Sequence, residues 1–248
     1  MDIYTLDLNF QNVPQTIASY LIIGPDGPVL VETGPGSTLD ALIAQLASHN
    51  LQPADIKQIL VTHIHFDHAG AAGWWAQQGA QIYVHPFGAR HLINPEKLIA
   101  SATRIYGEKM DVLWGDILPA PAEKVTIVQD GDLIEAGGLQ FSAIETPGHA
   151  RHHHVYRLGD VAFTGDAGGI KIPTFPLVDV PAPPPEFNLE AWETTIDRLL
   201  AENFSAIYPT HFSRVDAVDS HFTELKQLLR EAAFWIKAKM DAGVARDE

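Results

Sequence analysis

The sequence predicts an α/β layered fold. Three observations carry that reading: short apolar or alternating runs of strand length, amphipathic segments at helical spacing between them, and a later series of strands joined by Gly/Asp turns. The chain has 248 residues, of which 46% are hydrophobic, enough to bury a sizeable core. No low-complexity linker divides it, so residues 1–248 read as one domain.

In order, "IYTLDL" alternates, "TIASYLII" is apolar enough for a half-covered strand, and "PVLVE" runs into the turn "TGPGS". Ser37 is the expected cap of the next helix, with Asp40 three residues on, and Leu39, Leu42, Ile43 and Leu46 mark its buried face. "QILVT" follows as a compact strand, residues 68–78 as a helix, and "AQIYVH" as another strand. Residues 86–122 change character to helical segments rich in aromatics, a helical insert that could serve as a lid. Then come "KVTIV", the turn "QDGD", "LQFSAIE", "HHVYRL" and "VAFTG", expected as a β-meander. A proline-rich loop leads to a helix over 188–201, the strand "AIYP", the loop "THFSR" and a last helix over about 219–239. "ILVTH" and "AIYPTH" echo one another, each an apolar strand ending in Thr-His. Chance explains so short a match as readily as two related halves whose strand ends meet at one edge.

Sixteen Lys+Arg against 31 Asp+Glu give a net charge of −15, which opposes a nucleic-acid partner. No apolar run of membrane-spanning length and no signal-peptide pattern stands at the start, so a cytoplasmic protein without a membrane partner is expected. With no cysteine, any metal must be held by imidazole and carboxylate.

"ILVTHIHFDHAGA", residues 59–71, is the most informative stretch. In an extended segment side chains alternate, so His63, His65 and Asp67 are expected on one side and Ile64 and Phe66 on the other. Two imidazoles at this spacing can grip one cation, leaving Asp67 and His68 to face a second. Further ligands are expected at strand ends downstream: His149 in "ETPGHARHHH", Asp166 in "AFTGDAGG" and His211 in "YPTHFS". Singly, Asp166 reads equally as a turn residue and His211 as a loop histidine; their shared placement favours ligation. The seven divide into His63, His65 and His149 for one ion, Asp67, His68 and His211 for the other, with Asp166 as bridge. Two such cations lie roughly 3.5–4 Å apart and hold a hydroxide between them at neutral pH.

"THIHFDH", "TPGH", "GDA" and "THF", in this order, resemble the metallo-β-lactamase superfamily, and within it the glyoxalase II-like metallo-hydrolases, over nearly the whole chain. The resemblance implies an αββα sandwich of two facing mixed β-sheets with outer helices and a metal centre at one edge. Glu32-Thr33-Gly34 stands where the family often has Asp-Thr-Gly, so a supporting role for that carboxylate is not carried over. In "TPGHARHH" His153 matches a second motif histidine and reads as a supporting or structural residue; His152 replaces a glycine, and it and His154 read as structural. True β-lactamases of the superfamily lack the bridging aspartate, which argues against an antibiotic substrate. The chain also lacks the longer C-terminal helical region that binds glutathione in glyoxalase II, which disfavours a glutathione thioester. The family's diiron flavoproteins carry Glu where His65 stands, and its persulfide dioxygenases use a single iron.

The expected function is therefore a dinuclear metal-dependent hydrolase in which metal-bridging hydroxide attacks a small ester-like substrate: a lactone, thioester, carboxylic ester or phosphotriester. Zinc is the expected cation, with iron or manganese as alternatives, and Asp67 and Asp166 the expected catalytic carboxylates. The alternatives are an iron-dependent, persulfide-dioxygenase-like oxidoreductase of the same fold, or a metal-binding scaffold without catalysis. A homodimer would be unsurprising. Of Phe66, Trp74, Trp75, Tyr106, Trp114, Phe175, Phe187 and Phe212, most read as core and a few as walls of an apolar pocket. Arg151 and Lys171 read as solvated charges.

Overall fold

The strands of the computed structural model, which describes residues 2–175, 177–182 and 186–243, form two sheets. Parts of the proline-rich loop, residues 176 and 183–185, and residues 1 and 244–248 lie outside the described residues. The first sheet has the order β1 (Asp2–Asp7), β2 (Ala18–Gly24), β3 (Gly27–Val31), β4 (Gln58–Leu60), β5 (Gln81–Val84), β6 (Val125–Ile127). It is antiparallel from β1 to β3 and parallel from β3 to β6. β7 (Leu133–Ala136), β8 (Leu139–Glu145), β9 (His154–Leu158), β10 (Val161–Phe163) and β11 (Ala206–Tyr208) form the second sheet in the order β11-β10-β9-β8-β7, antiparallel except for the parallel pair β10/β11.

Strand periodicity explains the layers. Tyr20, Ile22, Val29, Val31 and Leu60 point to one side of the first sheet and meet Phe141, Tyr156, Phe163 and Tyr208 of the second. The alternate residues Leu21, Leu30 and Ile59 point outward, against α1 (Leu39–Ser48) and the short helices α2 (Phe66–Ala69) and α3 (Ala72–Gln77), through Leu42, Leu46, Ala69 and Trp75. On the far side Val155, Ala162 and Ile207 meet Trp192, Ile196 and Leu199 of α7 (Leu189–Ala201) and Phe222, Leu225 and Leu229 of α8 (Val218–Asp241). The result is an αββα sandwich. Phe141 and Phe163 are fully buried between the sheets, each stabilising the fold by about 1.5–3 kcal/mol.

Two tyrosine hydroxyls tie the sheets together below one edge. Tyr20 of β2 donates to the Pro209 carbonyl at 2.5 Å, just beyond β11, and Tyr156 of β9 donates to the Val61 carbonyl at 3.1 Å, just beyond β4. Burial raises both phenols well above their ordinary pKa, so both stay protonated donors.

Residues 86–122 leave β5 as α4 (Pro86–Ile93), α5 (Glu96–Tyr106) and α6 (Met110–Trp114), and the chain returns at β6. Phe66, Ala102 and Trp114 form a separate small core beneath them.

Several local expectations are corrected. Ser37 does not cap α1: its hydroxyl donates to the Leu113 carbonyl at 2.6 Å, and the helix starts from a 3-10 turn, Gly36–Thr38, without a side-chain cap. The helix expected over 68–78 breaks at Gly70, where a Cβ would lie 2.4 Å from the Phe66 carbonyl. "KVTIV" does not open the meander but joins the first sheet parallel to β5, and the meander's first strand is β7, which its alternation of exposed and buried residues fits but its shortness hid.

Candidate metal centre

The seven expected ligands converge at one edge, where several strands end. Extended structure stops at Leu60, so His63 and His65 sit on a loop beyond β4, and Asp67 and His68 on the single turn of α2. This overturns the expectation that Asp67 projects with His63 and His65. The helical turn carries it to the side of His68 and His211, its Oδ2 lying 3.6 Å and 3.3 Å from their Nε2 atoms. His149 follows β8, Asp166 lies on the 3-10 turn Gly165–Gly168 after β10, and His211 follows β11.

Two groups result, His63/His65/His149/Asp166 and Asp67/His68/His211, each with candidate ligand atoms within 4.8 Å of one another. Asp166 faces both: Oδ2 lies 3.2 Å from His149 Nε2 and 4.0 Å from His63 Nε2, while Oδ1 lies 3.2 Å from His68 Nε2 and 3.4 Å from His211 Nε2.

The far side of each ring fixes what its near side can do. His149 Nδ1 lies 2.6 Å from the Pro181 carbonyl, His211 Nδ1 2.8 Å from the Thr16 carbonyl and His68 Nδ1 3.1 Å from Glu32 Oε1, so each Nδ1–H donates outward and each Nε2 turns inward. The Thr62 hydroxyl donates to Glu32 Oε1 at 2.5 Å and therefore accepts from His63 Nδ1, 3.1 Å away. His63 Nε2 and His149 Nε2, 3.2 Å apart and both 2.9 Å from His65 Nδ1, are thus facing lone pairs. In addition, His68 Nε2 and Asp166 Oδ1 are buried without a hydrogen bond. Facing lone pairs and an orphaned carboxylate oxygen fit divalent cations held by imidazole and carboxylate.

Burial, then the neighbouring histidines, pushes His63 well below its ordinary pKa and His65 down to about 3, and burial lowers His149. On the other side burial again lowers the histidines and raises the carboxylates, but is outweighed: Asp166 and Asp67, joined by Glu32 at His68, raise His68 and His211, whose charge in turn holds Asp67 and Asp166 below the usual carboxylate range.

The residues supporting this edge were only partly legible. Glu32, fully buried, is the correction to the discounted carboxylate: it accepts from Thr62 N at 3.2 Å, the Thr62 hydroxyl, His68 Nδ1 and the Thr210 hydroxyl at 3.2 Å. The Thr-His echo thus has a physical meaning, since both threonines grip one carboxylate from opposite sheets. His153 accepts from Ala167 N at 3.3 Å and lies 2.7 Å from the Thr146 hydroxyl, tying the His149 loop to the Asp166 turn. Trp192 Nε1 donates to the Ala167 carbonyl at 3.2 Å, and His221 Nε2 lies 2.7 Å from the Gly168 carbonyl. No spacing signal in the sequence marks either. Gly165, at φ 49°, places the Asp166 turn where a Cβ would lie 2.4 Å from the Thr62 hydroxyl.

His154 stands apart from the ligands, with neither ring nitrogen hydrogen-bonded. Burial, then His85, pushes it down to about 3. The unfolded chain takes up that proton more readily below its ordinary value, so the stability is full above about 6.5 and is lost as pH falls toward 3, the loss reaching roughly 2 kcal/mol at pH 5. Between pH 7 and 5 the urea-unfolding free energy of the metal-free protein is expected to fall by about that much more than that of His154→Leu; parallel losses would show that His154 titrates normally.

The centre opens into a cavity of about 480 Å³. His65, Asp67, His149, Asp166 and His211 form its floor, and Leu98, Ala102, Ile105 and Tyr106 of α5, with Phe66 and Trp114, form an apolar wall. Of the remaining aromatics, Trp75 and Phe212 are buried in the core, Trp74 packs on Trp75, Phe187 packs on Trp192, and Phe175 is exposed. Arg151 pairs with Glu186.

The sequence profile of the metallo-beta-lactamase superfamily matches residues 13–211. A metallo-beta-lactamase fold-containing protein of Sulfurisphaera tokodaii is 27% identical over 189 residues, 75% of this chain and 68% of that protein. An uncharacterized protein of Mycobacterium tuberculosis is 32% identical over 153 residues, 56% of this chain and 61% of that protein. Among solved structures, a metallo-beta-lactamase family protein of Thermus thermophilus superposes with a TM-score of 0.72 at 26% identity, covering 97% of this chain and 81% of that one. With its profile match, its αββα sandwich and its His/Asp cluster at the sheet edge, the chain belongs to the metallo-beta-lactamase superfamily.

Proposed function

We propose that the protein is a dinuclear metal-dependent hydrolase that cleaves an ester-type bond in a small substrate: a lactone, thioester, carboxylic ester or phosphotriester. The observation that carries this reading is the placement of Asp166, one carboxylate oxygen toward each half of a cluster of inward lone pairs, at the floor of a cavity. His63, His65 and His149 would hold one cation and Asp67, His68 and His211 the other, with Asp166 shared. Bound cations of this kind supply Lewis acidity and lower the pKa of water to about 7.

The chain's own groups do the rest. Asp67, partly open to the cavity, orients the attacking water and accepts its proton. Phe66, Trp114 and the α5 wall hold the apolar part of the substrate and exclude bulk water. Zinc suits the all-imidazole and carboxylate set.

Elemental analysis of the purified protein tests the reading. Two equivalents of zinc or another divalent ion per chain are expected, together with turnover in a panel of lactones, thioesters and phosphotriesters that stops on chelation and returns on metal addition. One equivalent of iron per chain, with no ester turnover, would overturn it in favour of the oxygenase chemistry.

A further inference from the structure

Besides the apolar residues of α5, the cavity lining carries one carboxylate that belongs to neither ligand group, Glu186. Its side chain is 27% exposed and is fixed on three sides: Oε1 lies 3.2 Å from Arg151 Nε, and Oε2 lies 3.4 Å from His152 Nε2 and accepts from Arg151 N at 3.3 Å. The partners are unequally placed. His152 lines the cavity, whereas the Arg151 guanidinium is 63% exposed, lies 5.6 Å from the centre of the Phe87 ring and does not reach the lining. Among the described residues the lining contains no lysine and no arginine. A ligand above the ligand-bearing floor thus meets an apolar surface and a carboxylate in the same lining.

We propose that Glu186 is a specificity-determining residue that restricts the pocket to substrates whose leaving or acyl chain is uncharged or cationic, and rejects those carrying a carboxylate or phosphate there. The inference rests on the hydrolase reading above for its reaction, and on the wall alone for its charge preference. A carboxylate held in a half-buried wall repels an anionic chain with little screening by water, and the Arg151 guanidinium, on its outer side and 63% exposed, offsets that repulsion only in part and does not itself meet the ligand. An apolar chain lying along the α5 wall meets no like charge at Glu186, and a cationic one gains a partner. His152, which stands where the family resemblance has glycine, supplies the side chain that holds Glu186 in this position.

Three p-nitrophenyl esters of equal chain length test it on the zinc-loaded protein: the hexanoate, the mono-adipate with a terminal carboxylate, and the 6-trimethylammonio-hexanoate. The wild type is expected to favour hexanoate over adipate in kcat/KM by about tenfold or more. In Glu186→Gln the adipate-to-hexanoate ratio is expected to rise about tenfold and the cationic-to-neutral ratio to fall, with zinc content unchanged. Arg151→Gln, which leaves Glu186 without its outer partner, is expected to sharpen the discrimination. Ratios in Glu186→Gln equal to those of the wild type would overturn the proposal.

Binding of the matching anilides, hexananilide and adipic acid monoanilide, followed by tryptophan fluorescence, separates this from the hydrolase reading. Tighter binding of the neutral anilide that is lost in Glu186→Gln supports the charge preference even if no ester is turned over, a result that would overturn only the hydrolase reading. Equal affinities in both proteins would overturn the charge preference.

Discussion

If the centre is the dinuclear hydrolytic site proposed above, Asp166→Ala is expected to lose turnover and at least one of the two proposed cations together. Its two oxygens face separate groups of nitrogens, 3.2 Å from His149 on one side and 3.2 Å from His68 on the other, so a single substitution removes a ligand from both. Loss of a supporting partner alone typically lowers metal affinity or activity by about 10–100-fold, and loss of a shared ligand should exceed that. Elemental analysis and ester kinetics on the same preparation check the result. Full activity with two cations retained would remove Asp166 from the centre.

Glu32→Ala is expected to act on folding and metal affinity at once. It leaves the Thr62 amide, two threonine hydroxyls and His68 Nδ1 without their buried acceptor, a type of loss that costs about 3–5 kcal/mol when a charged partner is stranded. The freed His68 and Thr62 no longer fix the rings of His68 and His63, so cation affinity is expected to fall by about 10–100-fold. Glu32→Gln, which keeps one acceptor oxygen, should lie between. Urea unfolding of the metal-free protein and competition against a chromophoric chelator read the two effects separately. The backbone at Glu32 adopts φ 66°, a left-handed conformation uncommon outside glycine, consistent with a side chain kept in place for its contacts. Unchanged stability and unchanged affinity in Glu32→Ala would show that the threonines and His68 find other partners.

Much of this architecture was legible because strand periodicity and ligand chemistry are local signals. Short apolar runs named β2, β3 and β9 as strands, and the histidine spacing around residue 65 named four candidate ligands from one stretch. The grouping of Asp67 with His68 and His211 was legible, but its direction was not, because the chain turns helical at Phe66, a change that H-x-H-x-D-H read as an extended segment does not contain. The other failures had non-local causes. Ser37 was taken from α1 by a carbonyl 76 residues away, and β6 was claimed by β5 across the helical insert. Glu32 was marked by a family motif but its role was hidden, because its partners lie 30 to 178 residues away in sequence; Trp192 and His221 act through partners 25 and 53 residues distant, and no motif announces them. The glyoxalase II-like branch rests on motif resemblance alone.

The candidate ligands are divided between the sheets in a way that also orders events in time. His63, His65, Asp67 and His68 follow β4 of the first sheet, whereas His149, Asp166 and His211 follow strands of the second, which a ribosome delivers later. A nascent chain exposes half a centre first, with open positions and no bridging carboxylate. Capture of the proposed cations at full affinity would wait until the two sheets have docked face to face, with Tyr20 and Tyr156 bonded across them. Loading is then a late checkpoint on assembly, after which the ions would act as rivets across the seam through which the sandwich must open to unfold.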